Sequence, residues 1–434
     1  MALLYERQSD NMMNANFRFA KRIENLTPTM ILEISAQAAR DPEIINLSVG
    51  QPDFPTPEPI KDAGTKAIRN NFTRYTAGSG IAELRQAVAD RVSRETGIPR
   101  TAGNVVISNG AKHALSSAIL ALVDTGDRVL LPAPFYPSYP DMVHLAQGEV
   151  IFLPTEAESG FRVTPAQLEA ALATDPKLLI LNSPSNPTGA AYSRENLDLL
   201  VPLIKESGIM VLSDEIYDKI VYDGRNHASL ASYPEIQDQV ILINGVSKTY
   251  SMTGWRIGWL VGNENVAQKV GMVQSQMTSS PCSISQKAAL EALSRPEEEL
   301  KPMQTAFQQR RDRGVSLLAE IPEVKCHPPE GAFYLFPDVS AYLPPLEPGT
   351  SSHLRVLTDC PGHAGDSPQR SLELAQYLIK EHKVAVAPGM IFGADDHIRI
   401  SFAASFEEIE EGIRRVGRGL MEYRECAARD KLKE

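Results

Sequence analysis

Two chemically reactive side chains in this sequence come directly after apolar runs of strand length. Lys248 follows residues 240–243, and Asp214 follows residues 209–212. Ligands gather beyond the carboxyl ends of the strands in open α/β sheets, so both side chains are candidates for a binding site. A lysine that can lose its proton is a nucleophile, and Arg256 is a permanent cation suited to a phosphate. This pattern favours a Schiff-base lysine beside a phosphate-bearing carbonyl cofactor, although a solvated loop lysine would explain Lys248 alone.

The residues around Asp214 favour the binding of an aromatic ring. A buried aspartate needs a cationic partner or several hydrogen-bond donors, and a protonated pyridine nitrogen would be such a partner. Asn186 and Tyr217 could both bond a hydroxyl on the same ring. Taken singly, Asp214 could pair with an arginine, and Asn186 could be only a turn residue. Their joint occurrence at adjacent strand ends favours the ring.

Two further positions suit anions. Gly110 lies in a tight turn between a predicted strand at 105–108 and an apolar helix at 113–123. Backbone N–H groups at such a helix start bind phosphate, and a glycine lets the phosphate come close. Arg399 lies on an otherwise apolar strand at 397–402, and a buried arginine needs a planar anion. A substrate carboxylate and an internal salt bridge would each meet that need.

Composition excludes several classes of protein. The 434 residues carry a net charge of -11, which disfavours a nucleic-acid surface. The four cysteines are far apart and form no Cys-x-x-Cys pair, so the sequence predicts a reducing, cytoplasmic setting and no metal site. The start of the chain is too polar for a signal peptide, and no apolar run is long enough to span a membrane.

Strand and helix patterns alternate through most of the chain. Repeated β–α units predict an α/β fold whose large domain has a mainly parallel, helix-covered sheet. After about residue 316 the composition shifts, and a smaller α+β domain is expected there. The predicted divisions are an N-terminal arm at 1–25, a small-domain segment at 26–60, a large cofactor-binding domain at 61–315, and a small C-terminal domain at 316–434 with an inserted loop at 341–369.

Six motifs together resemble those of the class I aminotransferases, which depend on pyridoxal 5'-phosphate. The likeness runs from about residue 25 to the C-terminus and is greatest to the bacterial aspartate aminotransferase branch. The motifs are SVGQPDF at 48–54, NSPSNPTG at 182–189, SDEIY at 213–217, SKTYSMTGWRIG at 247–258, GAFY at 331–334 and RISF at 399–402. The resemblance implies the fold of type I pyridoxal-phosphate enzymes.

The resemblance also implies a role for each matching residue. Lys248 would form the internal aldimine and move the proton, and Asp214 would keep the pyridine nitrogen protonated. The remaining residues fall into three groups by what they would hold. The cofactor ring would be held by Tyr136, which would stack on it, and by Tyr217 and Asn186, which would bond its hydroxyl. The phosphate would be bound by Ser247, Arg256, the amides of Gly110, Ala111 and Lys112, and Tyr75 of a neighbouring subunit. The substrate would be bound by Arg399, Gly50, Asn186 and Lys112.

The implied reaction moves an amino group from an L-amino acid to a 2-oxo acid through the Lys248 aldimine and pyridoxamine phosphate. The partners would be these small molecules and a second copy of the chain, forming a homodimer with shared active sites and no nucleic acid or membrane. A lyase or cyclase working by β- or γ-elimination or internal capture would use the same residues, and remains the alternative. A ligand-binding regulator is disfavoured by the intact Lys248 and Asp214 pair.

Overall fold

The computed structural model describes residues 18–24, 26, 30–345 and 369–430. Its centre is a seven-stranded sheet of strand order β2-β8-β7-β6-β5-β3-β4. The strands of this sheet are β2 Val105–Ser108, β3 Arg128–Ala133, β4 Glu149–Pro154, β5 Leu178–Asn182, β6 Met210–Asp214, β7 Val240–Gly245 and β8 Gly258–Val261. Five of them run parallel from β4 to β7, while β8 is antiparallel to both β7 and β2. The predicted mainly parallel sheet is confirmed.

Apolar side chains cover both faces of this sheet, as its continuous Val, Ile and Leu runs require. Successive residues of a strand point to opposite faces. Accordingly Leu179 and Leu181 join one buried cluster, whereas Leu178 and Ile180 join another on the opposite face. Helices, connecting segments and the neighbouring strands supply the rest of both clusters.

The helices mostly connect consecutive strands. In chain order they are α1 Lys21–Glu24, α2 Met30–Ala38, α3 Glu58–Arg69, α4 Ala82–Thr96, α5 Ala111–Leu122, α6 Ser138–Leu145, α7 Pro165–Leu172, α8 Arg194–Ser207, α9 Glu264–Thr278, α10 Ser283–Ser294, α11 Lys301–Ala319, α12 Arg370–Glu381 and α13 Phe406–Asp430. A serine cap starts α8, where the Ser193 side chain accepts from the Asn196 amide, and Gly208 ends it in the left-handed region.

Two small sheets lie outside the central one. Strand β1, Ile45–Asn46, pairs in parallel with β10, Val384–Ala385. Strand β12, Ile398–Ser401, lies between β9, Tyr334–Leu335, and β11, Ala387–Pro388, and is antiparallel to both. A separate buried cluster packs these strands against α11, α12 and α13. The chain before residue 57 and the chain after 316 therefore share one core.

Two features of the helices near residues 264–319 are local. Helix α9 continues to Thr278, and Gln274 is buried on it and donates to the Ile107 carbonyl at 2.7 Å. Helices α10 and α11 are separate, and Pro296 lies between them. Most of the predicted arm at 1–25 and residues 346–368 of the predicted inserted loop lie outside the described residues.

Candidate active site

A cavity of about 350 Å³ lies at the carboxyl ends of β5, β6 and β7 and beside the start of α5. Parallel strands that end at one edge bring residues distant in sequence together. Eleven of the residues named from the sequence line this cavity: Gly50, Ala111, Lys112, Tyr136, Asn186, Asp214, Tyr217, Ser247, Lys248, Arg256 and Arg399. Gly110 directly precedes Ala111, the first residue of α5. Tyr75 does not line the cavity and is exposed on the surface.

Lys248 lies three residues beyond β7, with its ammonium inside the cavity. Its Nζ donates to the Gly50 carbonyl at 2.5 Å. Burial lowers the pKa of Lys248 to about 8, and the positive charges of Arg399 and Arg256 act in the same direction. An amine with this pKa is partly unprotonated near neutral pH, which a nucleophilic lysine needs. The solvated loop lysine considered from the sequence is excluded.

Asp214 is the last residue of β6 and is 4% exposed. Its Oδ2 accepts from the Tyr139 hydroxyl at 2.7 Å, and its Oδ1 accepts from the Ile216 amide at 3.2 Å. Within the described part of the chain it forms no ion pair, so the arginine partner considered from the sequence is not found. Burial raises the pKa of Asp214 to about 6, and the Tyr139 hydrogen bond opposes that rise. A buried carboxylate in this state favours a cation in the cavity.

Asn186 and Tyr217 are buried residues that line the same cavity as Lys248. The Asn186 Oδ1 accepts from Arg399, and its backbone amide donates to the Asn182 side chain at 2.8 Å. The Tyr217 ring lies 5.9 Å from the Lys248 Nζ, and its hydroxyl is 2.7 Å from the Tyr334 hydroxyl. Burial raises the pKa of Tyr217 well above its usual value, so its hydroxyl stays a hydrogen-bond donor at neutral pH.

Arg399 is a buried cation with neutral partners. It is 1% exposed; it donates to Asn186 Oδ1 at 2.8 Å and to the Ser48 carbonyl at 2.5 Å. No acidic side chain pairs with it among the residues that the structure describes, which removes the internal salt bridge considered from the sequence. Its Nε is buried without a partner. A planar anion such as a carboxylate would meet this unsatisfied charge.

The start of α5 and the Arg256 turn form a second anion cradle. Gly110 has φ 87°, a conformation that glycine adopts without strain, and a Cβ there would overlap the Arg256 guanidinium. The Gly110 amide itself donates to the Ser108 carbonyl at 2.8 Å, so the following amides of α5 are the ones left for an anion. Arg256, at φ 56°, donates to the Thr253 and Asn109 carbonyls from the other side.

Tyr136 and Lys112 form the outer wall of the cavity. The Lys112 Nζ is 5.4 Å from the centroid of the Tyr136 ring. Two apolar side chains of α2, Ile31 and Leu32, line the cavity beside them. This wall therefore offers one cation and several apolar surfaces to whatever enters.

Two residues of the site were not found from the sequence. Tyr139 was not singled out, and it lies in α6, which begins at Ser138 and directs the Tyr139 hydroxyl at Asp214. Tyr334 was noted only as part of the GAFY motif, yet its ring lies 4.4 Å from the Arg399 guanidinium carbon. The sequence contains no helical signal for Tyr139, because Pro137 and Pro140 beside it are more typical of a loop.

These groups match the parts of pyridoxal 5'-phosphate. The buried Asp214 carboxylate forms no ion pair among the described residues and suits a pyridinium nitrogen, while the amides of α5 with Arg256 suit the phosphate. Lys248, with its lowered pKa, suits the aldehyde. Arg399 remains for the carboxylate of a substrate. The residues present therefore fit this cofactor and leave a cation for an amino acid.

Comparison with known proteins points to one family. The family model described as aminotransferase class I and II matches residues 42–416. Aspartate aminotransferase of Bacillus subtilis is 37% identical over 406 residues, covering 92% of this chain and 98% of that protein. Aspartate/prephenate aminotransferase of Cereibacter sphaeroides is 42% identical over 383 residues, covering 88% and 92%.

Solved structures agree with the sequence comparison. The aspartate aminotransferase of Rhizobium meliloti superposes with a TM-score of 0.83 at 37% identity, covering 94% of this chain and 99% of that one. The Thermus thermophilus aspartate aminotransferase with maleate gives a TM-score of 0.83 at 33% identity, covering 93% and 100%. The expected fold of type I pyridoxal-phosphate enzymes is confirmed, and amino transfer is supported over the lyase or cyclase alternative. The chain belongs to the class I and II aminotransferases and is an enzyme that transfers amino groups with pyridoxal 5'-phosphate.

Proposed function

We propose that this enzyme takes the amino group from a dicarboxylic L-amino acid and gives it to a 2-oxo acid. The observation that carries the proposal is the placement of one low-pKa lysine, one buried carboxylate and one buried, unpaired arginine around a single cavity. Lys248 would bind the cofactor, Asp214 would pair with the ring nitrogen, and Arg399 would bind the α-carboxylate of the substrate.

The remaining contacts would orient the cofactor. Its phosphate would lie against the amides of Ala111 and Lys112, the Ser247 side chain and Arg256. Tyr136 would stack on the ring, and Tyr217 and Asn186 would bond its hydroxyl. When bound, the cofactor supplies an electron sink for the bond that breaks at the substrate Cα.

Lys248 would then move the proton at the substrate Cα. A general base works best when its pKa is near the working pH, and burial has brought the pKa of Lys248 to about 8. The Gly50 carbonyl at 2.5 Å holds the Lys248 Nζ at one side of the cavity. Arg399 and Asn186, bonded to each other, would fix the substrate carboxylate so that its Cα faces this amine.

The proposal of a dicarboxylic substrate depends on Lys112. Arg399 would bind one carboxylate, and Lys112, the cation of the outer wall, would bind the second one. The names of relatives at 37–42% identity include aspartate and prephenate, each of which has two carboxylates, and the Thermus thermophilus structure was solved with maleate, also a dicarboxylate. The apolar side chains of α2 beside Lys112 would admit a bulkier dicarboxylic acid as well.

A homodimer would complete the site. Tyr75 is 92% exposed, and exposed Met272 and Met277 lie on neighbouring α9. The Tyr75 loop is tied to the end of this helix, where the Thr76 amide donates to Ser280 Oγ at 3.4 Å. The same end of α9 contacts the turn before α5 through Asn109. A two-fold interface over this surface would bring Tyr75 of one subunit to the phosphate site of the other.

Two coarser proposals concern organisation and location. The pairing of β1 with β10 supports a small unit formed by the segment at 26–60 and residues 316–434, beside a large unit at 61–315. In the part of the chain that the structure describes, no helix is both long and apolar enough to cross a membrane. The described cysteines, Cys282, Cys326 and Cys426, are free, which supports a cytoplasmic location.

A labelling experiment and a half-reaction test these roles. Borohydride reduction of the enzyme with its cofactor, followed by peptide mapping, should place the pyridoxyl label on Lys248; a label on another lysine would refute the assignment. Aspartate added without any oxo acid should release one equivalent of oxo acid per active site and then stop. Continued turnover from an amino acid alone would instead support an elimination or cyclisation reaction.

A further inference from the structure

Tyr334 connects the groups proposed for the substrate with those proposed for the cofactor ring. Its hydroxyl is 2.7 Å from the Tyr217 hydroxyl, and its ring centroid is 4.4 Å from the Arg399 guanidinium carbon. Tyr334 is 1% exposed, and Tyr217 is 3% exposed. A buried tyrosine pair of this kind persists only when both hydroxyls are satisfied. The roles described so far make no use of Tyr334.

The surrounding backbone fixes the position of Tyr334. Tyr334 pairs with Ser401 across β9 and β12, two residues from Arg399 on the same strand. A Cβ on Gly50 would overlap the Tyr334 hydroxyl, so the absence of a side chain at Gly50 makes room for that hydroxyl. The sheet register and this glycine together bring the hydroxyl to Tyr217.

The direction of the bond between the tyrosines follows from proton counting. A tyrosine hydroxyl has one proton and can donate once. If Tyr217 donates to the ring hydroxyl of the cofactor, its oxygen can only accept from Tyr334. We propose that Tyr334 is a positioning residue that donates to Tyr217 and thereby strengthens the bond that Tyr217 donates to the cofactor. The inference rests on the proposed placement of the cofactor hydroxyl beside Tyr217.

The charges around the pair support this direction. Burial raises the pKa of each tyrosine, so both hydroxyls keep their protons. The Arg399 guanidinium carbon lies 4.4 Å from the centroid of the Tyr334 ring, and this cation polarises the Tyr334 hydroxyl as a donor. Lys248 faces the other tyrosine, 5.9 Å from the Tyr217 ring. Bonds in a chain polarise one another in a medium of low dielectric constant, so a donor behind Tyr217 strengthens its outgoing bond.

The test uses the holoenzyme and the pH at which the visible absorbance of its bound cofactor changes. Tyr334→Phe keeps the ring under Arg399 and removes only the hydroxyl. Weaker donation to the ring oxygen makes the chromophore more basic, so the midpoint should move to higher pH by roughly half a pH unit. The same change in a Tyr217→Phe background should cause no additional movement, because its effect passes through Tyr217. Apparent substrate affinity should stay within about twofold, since the contact with Arg399 remains.

Tyr222→Phe is the matched control. Tyr222 is also a buried tyrosine of the same core, and its hydroxyl donates to the Ala332 carbonyl away from the cavity, so the variant should leave the midpoint unchanged. If Tyr217→Phe moves the midpoint and Tyr334→Phe does not, the inference about Tyr334 is overturned while the proposed function stands. The inference would also be overturned if Tyr334→Phe moved the midpoint equally in the unaltered enzyme and in the Tyr217→Phe variant. If Tyr217→Phe has no effect, the proposed placement of the cofactor hydroxyl fails and the Tyr334 inference fails with it.

Discussion

The Tyr139 hydroxyl donates to Asp214 Oδ2 at 2.7 Å, and both side chains are buried. This bond lies behind the carboxylate proposed to pair with the cofactor ring. It opposes the rise that burial causes in the pKa of Asp214, which is about 6. Tyr139 also lies edge-on to Tyr136, with ring centroids 5.4 Å apart. One side chain therefore contacts both the tyrosine proposed to stack on the cofactor ring and the carboxylate proposed to pair with it.

Tyr139→Phe should weaken cofactor binding, and more at pH 6 than at pH 8. Loss of a hydrogen bond to a charged group costs about 1.5–3 kcal/mol, and the pKa of Asp214 should rise above about 6. Below that pKa the carboxyl is protonated and cannot pair with a ring cation. The measurement is the cofactor dissociation constant at the two pH values.

Tyr233→Phe provides a matched control for Tyr139→Phe. Like Tyr139, Tyr233 is buried, and its hydroxyl donates to an aspartate at 2.7 Å. This aspartate is Asp198 on α8, away from the cavity. It should leave the cofactor dissociation constant unchanged. Equal weakening at pH 6 and pH 8 in Tyr139→Phe would mean that the hydroxyl does not act through the ionisation of Asp214.

The capture of added cofactor by the apoenzyme should depend on pH through Lys248. Its pKa is about 8, lowered by burial and by the cations Arg399 and Arg256. The rate constant should rise with pH as the amine loses its proton and level off above about pH 8, whereas an ordinary lysine would continue to gain reactivity to pH 10.5. Arg399→Gln removes one cation and should move the profile to higher pH. A profile that still rises between pH 9 and pH 10 in the unaltered enzyme would contradict the assignment.

The same shift predicts how the stability of the apoenzyme varies with pH. The pKa of Lys248 is lowered from 10.5 to about 8 on folding, so between these values the unfolded chain holds the proton that the folded chain has lost. The contribution of Lys248 to the free energy of unfolding should therefore increase from pH 8 to pH 10.5. Lys248→Met removes this contribution. The measurement is the free energy of unfolding of both proteins by denaturant at pH 8 and at pH 10. Between these pH values it should increase less, or decrease more, in the variant than in the unaltered apoenzyme.

The sequence predicted best the positions of the site residues that follow the ends of strands. Apolar runs of strand length predicted β6 and β7, so Asp214 and Lys248 could be placed at one edge of the sheet before any geometry was known. Tyr139 could not be placed, because Pro137 and Pro140 made its segment look like a loop, although a proline in the first turn of a helix is well tolerated.

The contacts of the Arg399 side chain could not be predicted from the sequence either. Whether Arg399 has an acidic partner depends on side chains far along the chain, and both readings were open until Asn186 and Ser48 were found beside it. The role of Gly110 was only partly anticipated. The need for space at Gly110 was expected, but its positive φ and the bond from its own amide to the Ser108 carbonyl were not.

Arg399→Lys should weaken substrate binding and leave the cofactor bound. A lysine is a point charge and cannot reproduce the two-pronged contact of a guanidinium with a carboxylate. The expected loss is about 2–5 kcal/mol for a buried pair, measured as the apparent affinity for amino acid in the half-reaction. Arg311→Lys is the control, because Arg311 is also buried but is paired with Asp223 away from the cavity. Unchanged affinity in Arg399→Lys would show that Arg399 has a structural role.

Lys112→Met should reduce the preference for dicarboxylic amino acids. The substitution keeps an unbranched, apolar chain against Tyr136, 5.4 Å from the present ammonium, and removes the cation proposed for the distal carboxylate. We expect kcat/KM for aspartate to fall by about fivefold, which corresponds to about 1 kcal/mol, because Lys112 is exposed and an ion pair in contact with water contributes no more than this. The value for leucine, which has no distal carboxylate, should stay within about 1.5-fold. Lys287→Met, at an ion pair with Glu83 outside the cavity, should change neither value. An equal fall for both amino acids would assign Lys112 to the cofactor phosphate alone, and the dicarboxylic substrate would have to be recognised by another group.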